Sequence, residues 1–202
     1  MAAVYIPDVT ESMLVLVDAD DREIGVVEKM SAHRDGILHR AFSIFVFDRS
    51  GRLLLQRRAL DKYHSGGLWS NTCCSHPQPG ERLIDAAHRR LEEEMGFDCD
   101  LRGGYAFIYR ADVGNGLVEH EFDHVFVGRF DGQPRPDATE VHGWAWRPID
   151  EVRADMNARP SVYTTWFKVA LERLRHVPNG RLPHESRSSF AMLTAGPKDK
   201  EP

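Results

Sequence analysis

Residues 80–97, GERLIDAAHRRLEEEMGF, constrain the fold of this chain more than any other stretch. Leu83, Ala87, Leu91 and Met95 recur every fourth residue, which gathers them on one face of an α-helix over 82–95, and Gly96 stands where a left-handed helix cap belongs. The opposite face mixes acidic and basic side chains, with Arg90 and Glu94 one turn apart. Strand signals surround this helix. Apolar runs at 13–17 and 24–28 flank the turn-forming DADD, and 41–47 and 53–58 flank DRSG, so both pairs read as hairpins. Residues 105–111 and 118–130 form another pair around Gly114-Asn115-Gly116, followed by a short strand at 142–146. A second amphipathic helix is predicted over 161–176 from the spacing of Trp166, Phe167, Ala170, Leu171 and Leu174. The mixture defines an α/β (α+β) chain.

At 202 residues the chain is one domain with a remainder, read here as a domain over 1–178 and a flexible, Ser-, Pro- and Lys-containing tail over 179–202. A formal charge of -5 leaves no excess of Lys and Arg for general nucleic-acid or membrane binding, so any anionic ligand must meet a local basic cluster. Three cysteines, Cys73, Cys74 and Cys99, are too few and too odd for a disulfide scaffold and point to a reducing compartment. With no apolar run near the roughly 20 residues of a membrane span, the expectation is a cytoplasmic protein, monomeric or weakly dimeric.

Chemistry concentrates in a few places. The loop over 63–80, YHSGGLWSNTCCSHPQPG, at about 18 residues exceeds the usual connection length, and its His, Trp and Cys content favours a functional loop. His33, His39 and His76, with Glu119 and Glu121 alternating along one strand face, would suit a divalent cation. Taken singly, each such His is more often a surface or hydrogen-bonded residue than a ligand. Arg90 and Glu94 could hold a diphosphate and its cation, or merely form an i,i+4 ion pair on a solvated face.

Glu81, Arg89, Leu91, Glu93, Glu94 and Gly96 resemble the Nudix box, which implies a Nudix fold, a mixed β-sheet sandwiched between α-helices. Two positions depart. Ser75 stands for the leading Gly, and Arg90 stands where the hydrolases carry a metal-binding Glu, which removes a ligand, reverses a charge and puts diphosphate hydrolysis in doubt.

Ala32-His33, LHRAFS (38–43), QRRALDK (56–62), LWSNTCCSHP (68–77) and VEHE (118–121) together resemble type I isopentenyl diphosphate isomerases, in order and across roughly 13–170. The resemblance implies that His33, His39, His76, Glu119 and Glu121 ligate a divalent metal (Mn, Mg or Zn). It implies Cys74, not Cys73, as the catalytic cysteine, with Glu121 transferring protons beside Tyr109. Glu94 would bind a second Mg with the substrate's diphosphate, Lys29, Arg58, Lys62 and Arg90 would surround that diphosphate, and Trp166 would face the hydrocarbon of the prenyl diphosphate.

Physical reasons for these residue types stand beside the resemblance. Moving a double bond by one carbon through a tertiary carbocation needs an acid and a base on opposite faces. A carboxylate or phenol beside a metal, and a cysteine across the pocket, can fill both roles. Trp166 could shield the cation with its π-face, or serve only as a core residue of its helix. Arg57-Arg58 could instead keep a strand edge soluble, though Lys62 in the same loop favours an anion. The rivals are a Nudix diphosphohydrolase, disfavoured by Arg90, and a structural zinc module, disfavoured by the absence of paired Cys-x-x-Cys spacing.

Overall fold

The computed structural model describes residues 13–174. Nine strands and four α-helices follow in the order β1 (Met13–Val17), β2 (Glu23–Glu28), α1 (Lys29–Asp35), β3 (His39–Phe47), β4 (Arg52–Arg58), β5 (Trp69–Ser70), β6 (Cys73–Ser75), α2 (Leu83–Met95), β7 (Leu101–Gly114), β8 (Leu117–Arg129), β9 (Val141–Pro148), α3 (Ile149–Ala158) and α4 (Thr165–Arg173). The expected tail over 179–202 lies outside the described residues.

β3 organises the sheet. Its run from Ala41 to Val46 is buried on both faces, as strands between two layers of helices must be. Phe42, Ile44 and Val46 join Leu54 against Ala86, Ala87, Leu91 and Met95 of α2. Phe45 turns the other way, with Leu53 and Leu55, onto Val152 and Met156 of α3 and Phe167, Ala170 and Leu171 of α4. The sheet is thus covered by helices on both sides, as the fold class implies.

β3 runs parallel to β8 from His39↔Glu121 to Phe47↔Arg129, and β8 pairs antiparallel with β7, which sets Tyr109 opposite Glu121 and Ala111 opposite Glu119. β1 and β2 form the expected hairpin.

The second expected hairpin is corrected. β3 and β4 meet only at Phe47↔Leu53. Beyond that turn the segment of the long loop carrying β5 and β6 is wedged between them: β5 pairs with β4 and β6 with β3. Thr72 completes the wedge, accepting from Val46 N at 2.9 Å and donating to Leu54 O at 2.7 Å. β4 takes β9 as its long partner.

α2 ends at Gly96 with φ 70°, as its periodicity predicts. The last helix is shorter than expected: Pro160–Val162 form a separate 3-10 turn, and α4 starts only after Thr164. Among the described residues, no helix is long and apolar enough to cross a membrane.

Candidate active site

Three strands and α1 bring the expected ligands together. Glu28 caps α1 through its carboxylate, which accepts from Met30 N and Ser31 N, both at 2.8 Å, and one turn inside the helix Lys29 and His33 share a face. His39 opens β3, His76 follows β6, and Glu119 and Glu121 lie two apart on β8. The ligating atoms of His33, His39, His76 and Glu119 all lie within 4.8 Å of one another. Glu121 adjoins them, with Oε1 3.1 Å from His76 Nε2 and 3.8 Å from His39 Nε2.

The hydrogen bonds of this cluster fit a cation. His33 Nδ1 donates to Lys29 O at 2.6 Å and His39 Nδ1 donates to Ile37 O at 2.8 Å, so in the neutral rings each Nε2 carries a lone pair. Those lone pairs point at carboxylate oxygens: His33 Nε2 stands 3.0 Å from Glu119 Oε2, and His39 Nε2, buried, has no hydrogen-bond partner. An acceptor facing an acceptor is unfavourable until a positive charge lies between them. Burial also pushes the His39 imidazole down to about 4, against the pull of Glu119, so it is neutral and able to ligate at pH 7. Three imidazole nitrogens and carboxylate oxygens suit a divalent cation.

Tyr109 donates to Glu121 Oε2 at 2.7 Å. Burial, together with the charges of Glu119 and Asp123, holds the Glu121 carboxyl well above the usual carboxylate range in the metal-free protein. Glu119 is affected oppositely: burial raises it, but the neighbouring His33 and His64 side chains outweigh that and hold it low.

Cys74 is pinned on the wedge. Asn71 donates through Nδ2 to Ile44 O and Cys73 O, at 3.1 and 3.0 Å, which turns its Oδ1 toward the thiol, and Cys74 Sγ donates to that oxygen at 3.0 Å. Burial first, and the nearby Asp123 second, push the thiol up, so it is protonated at neutral pH. Cys73 faces the α2 core instead, fully buried.

One cleft collects most of the remaining expected residues: Lys29, Arg58, Lys62, Arg90, Glu94 and Trp166 line it together with Cys74, His76, Glu119 and Glu121. His33, His39 and Tyr109 are buried beside it and are not among its lining residues. Its volume is about 100 Å³, and it opens to solvent on one side.

Arg90 and Glu94 do not lie on a solvated face. Glu94 is 4% exposed and receives Arg90 Nη2 at 2.7 Å and Gln56 Nε2 at 3.1 Å. The box residues Arg89 and Glu81 instead form a two-pronged ion pair, with both N–O distances 2.8 Å. Trp166 is 4% exposed within the α4 core and also lines the cleft, with the Arg58 guanidinium 5.1 Å from its ring centre.

Among the lining residues, Glu140 and His64 are not singled out by any motif in the sequence. Glu140 sits between Lys62 and Arg90, paired with both, and His64 contacts Glu119. Glu140 lies in a polar connection without periodicity. The composition of the long loop was the only pointer to His64.

The Nudix domain family model matches residues 37–167, and the fold and the carboxylate-bearing helix beside the cleft define this chain as a Nudix-class protein. Solved structures agree on the fold: a Deinococcus radiodurans protein superposes with TM-score 0.68 at 21% identity over 80% of this chain and 98% of its own, and a MutT protein from Methanosarcina mazei with 0.56 at 16% over 68% and 93%. Sequence relatives narrow the class. Isopentenyl-diphosphate Delta-isomerase of Burkholderia multivorans is 60% identical over 81% of this chain and 93% of its own length, and isopentenyl-diphosphate Delta-isomerase 2 of Aromatoleum aromaticum is 54% identical over 81% and 87%. The chain belongs to the isopentenyl-diphosphate Delta-isomerase family.

Proposed function

We propose that this protein interconverts isopentenyl and dimethylallyl diphosphate. The observation that carries the reading is one small cleft onto which Cys74 and Glu121 both open, from strands on opposite edges of β3, with four cationic side chains around it. The reaction adds a proton to one alkene carbon, forms a tertiary carbocation and removes a proton from the other side. Cys74, held as a thiol, and the Tyr109–Glu121 pair supply the two proton-carrying groups, and their order reverses with the direction of reaction.

Lys29, Arg58, Lys62 and Arg90 hold the diphosphate, and that binding energy places the five-carbon tail. With Trp166 forming the wall, the indole stabilises the cation by on the order of 1–2 kcal/mol once water is excluded. His33, His39, His76, Glu119 and Glu121 would hold a divalent metal (Mn, Mg or Zn), and Glu94 a second Mg arriving with the diphosphate; the first ion would supply positive charge beside the paired carboxylates. Three unpaired cysteines support a reducing, cytoplasmic setting, and the small anionic substrate requires neither nucleic acid nor membrane.

The test is incubation of isopentenyl diphosphate with the protein and divalent metal in deuterated water. Deuterium in the recovered allylic product is expected. Release of phosphate without isomerisation would overturn the proposal in favour of diphosphate hydrolysis.

A further inference from the structure

A fourth imidazole faces the same centre from outside the ligand cluster. His64 is 4% exposed, its Nε2 stands 3.0 Å from Glu119 Oε1, and its Nδ1 stands 3.2 Å from Ser65 Oγ. Its hydrogen bonding runs opposite to that of His33 and His39. Those rings give Nδ1–H to backbone carbonyls and turn a bare Nε2 inward. His64 has a carboxylate oxygen at Nε2, which can only accept, and a hydroxyl at Nδ1, which can donate, so the neutral ring is satisfied as a donor to Glu119.

Glu119 is thereby divided. Its Oε2 faces His33 at 3.0 Å and His39 at 3.9 Å, inside the ligand cluster, while Oε1 is held by His64. A carboxylate fixed at one oxygen cannot rotate about its terminal bond and presents the other as a single, oriented ligand atom.

The loop keeps His64 in place. Ser65 adopts φ 52°, in the left-handed region that few side chains occupy, and a Cβ on Gly66 would stand 2.5 Å from Leu60 O. The His64 ring also packs edge-on against Tyr63, at 4.4 Å and 86°, and against Trp166, at 5.8 Å and 89°.

We infer that His64 is a positioning residue of the metal centre: its Nε2–H locks Glu119 so that only Oε2 is offered to the cation, and its ring braces Trp166 beside it. The inference rests on the metal-centre reading above.

It is tested with His64→Phe, which keeps a ring and loses the donor, and His64→Gln, which loses the ring and keeps a donor. Mn²⁺ is titrated into the metal-stripped full chain without substrate, free ion being followed by electron paramagnetic resonance, and unfolding midpoints of the metal-free variants report the fold. H64F is expected to weaken Mn²⁺ binding by about 10- to 100-fold, and H64Q to recover most of that loss. Wild-type affinity in H64F, or an equal loss in H64Q, would overturn the role of His64 while leaving the metal centre standing. Failure of the wild type itself to bind Mn²⁺ would overturn the metal centre and the inference together.

Discussion

Cys73 and Cys74 are neighbours in the chain and strangers in space, because successive strand residues point to opposite faces of a sheet. Cys73 packs under α2, whereas Cys74 donates to Asn71 beside the cleft. Cys74→Ala is therefore expected to abolish interconversion of the two diphosphates with folding intact. Cys73→Ala should keep turnover and lose on the order of 1 kcal/mol of stability through a small cavity. Steady-state kinetics and denaturant melts of both variants check this; full activity in Cys74→Ala would reassign the chemistry. At this scale the sequence was most informative where residues fall on a family pattern, as His33, His39, His76 and Glu121 do. Glu140 and His64 fall on none, since their roles arise from partners that only the folded chain brings near.

Among the elements, α2 was the most legible because its apolar stripe and glycine cap both carry period and punctuation. Gly96 shows how tightly that end is built: it has φ 70°, and an added Cβ would lie 2.2 Å from Arg135 O. Gly96→Ala should destabilise the protein by about 1–3 kcal/mol, whereas Gly103→Ala, with open space around it, should change stability by less than about 0.5 kcal/mol. Urea midpoints at unchanged slope would measure both, and equal effects would refute the steric account. α1 and α3 escaped notice because each buries only two residues, Ala32 and His33 in one, Val152 and Met156 in the other, too few to write a period. The β3–β4 hairpin was misread for a different reason. Turn chemistry at DRSG is local and correct, but Thr72 and its neighbours, from far down the chain, separate the strands beyond it.

The described residues form three apolar clusters, the two largest on opposite sides of the sheet, and each is built of side chains packed against one another rather than around an ion. The core consequently holds without a cation, unlike that of a structural zinc module. Chelation should eliminate turnover, leave the far-ultraviolet circular dichroism unchanged and lower the unfolding midpoint by an amount that grows with the ion concentration it is compared against. Loss of secondary structure on chelation would contradict this picture.

The parallel pairing of β3 with β8 has one more consequence, for the order in which the protein is made. His33 and Glu119 are 86 positions apart, and His76 and Glu121 are 45 apart. A growing chain emerging from the ribosome presents its three histidines long before either carboxylate exists to complete their company. Closure of so long a loop is slow to find and is rewarded only late. Metal capture is thus deferred until synthesis has passed β8, and a truncated product ending earlier would carry the cysteine and the imidazoles with no centre to arm them.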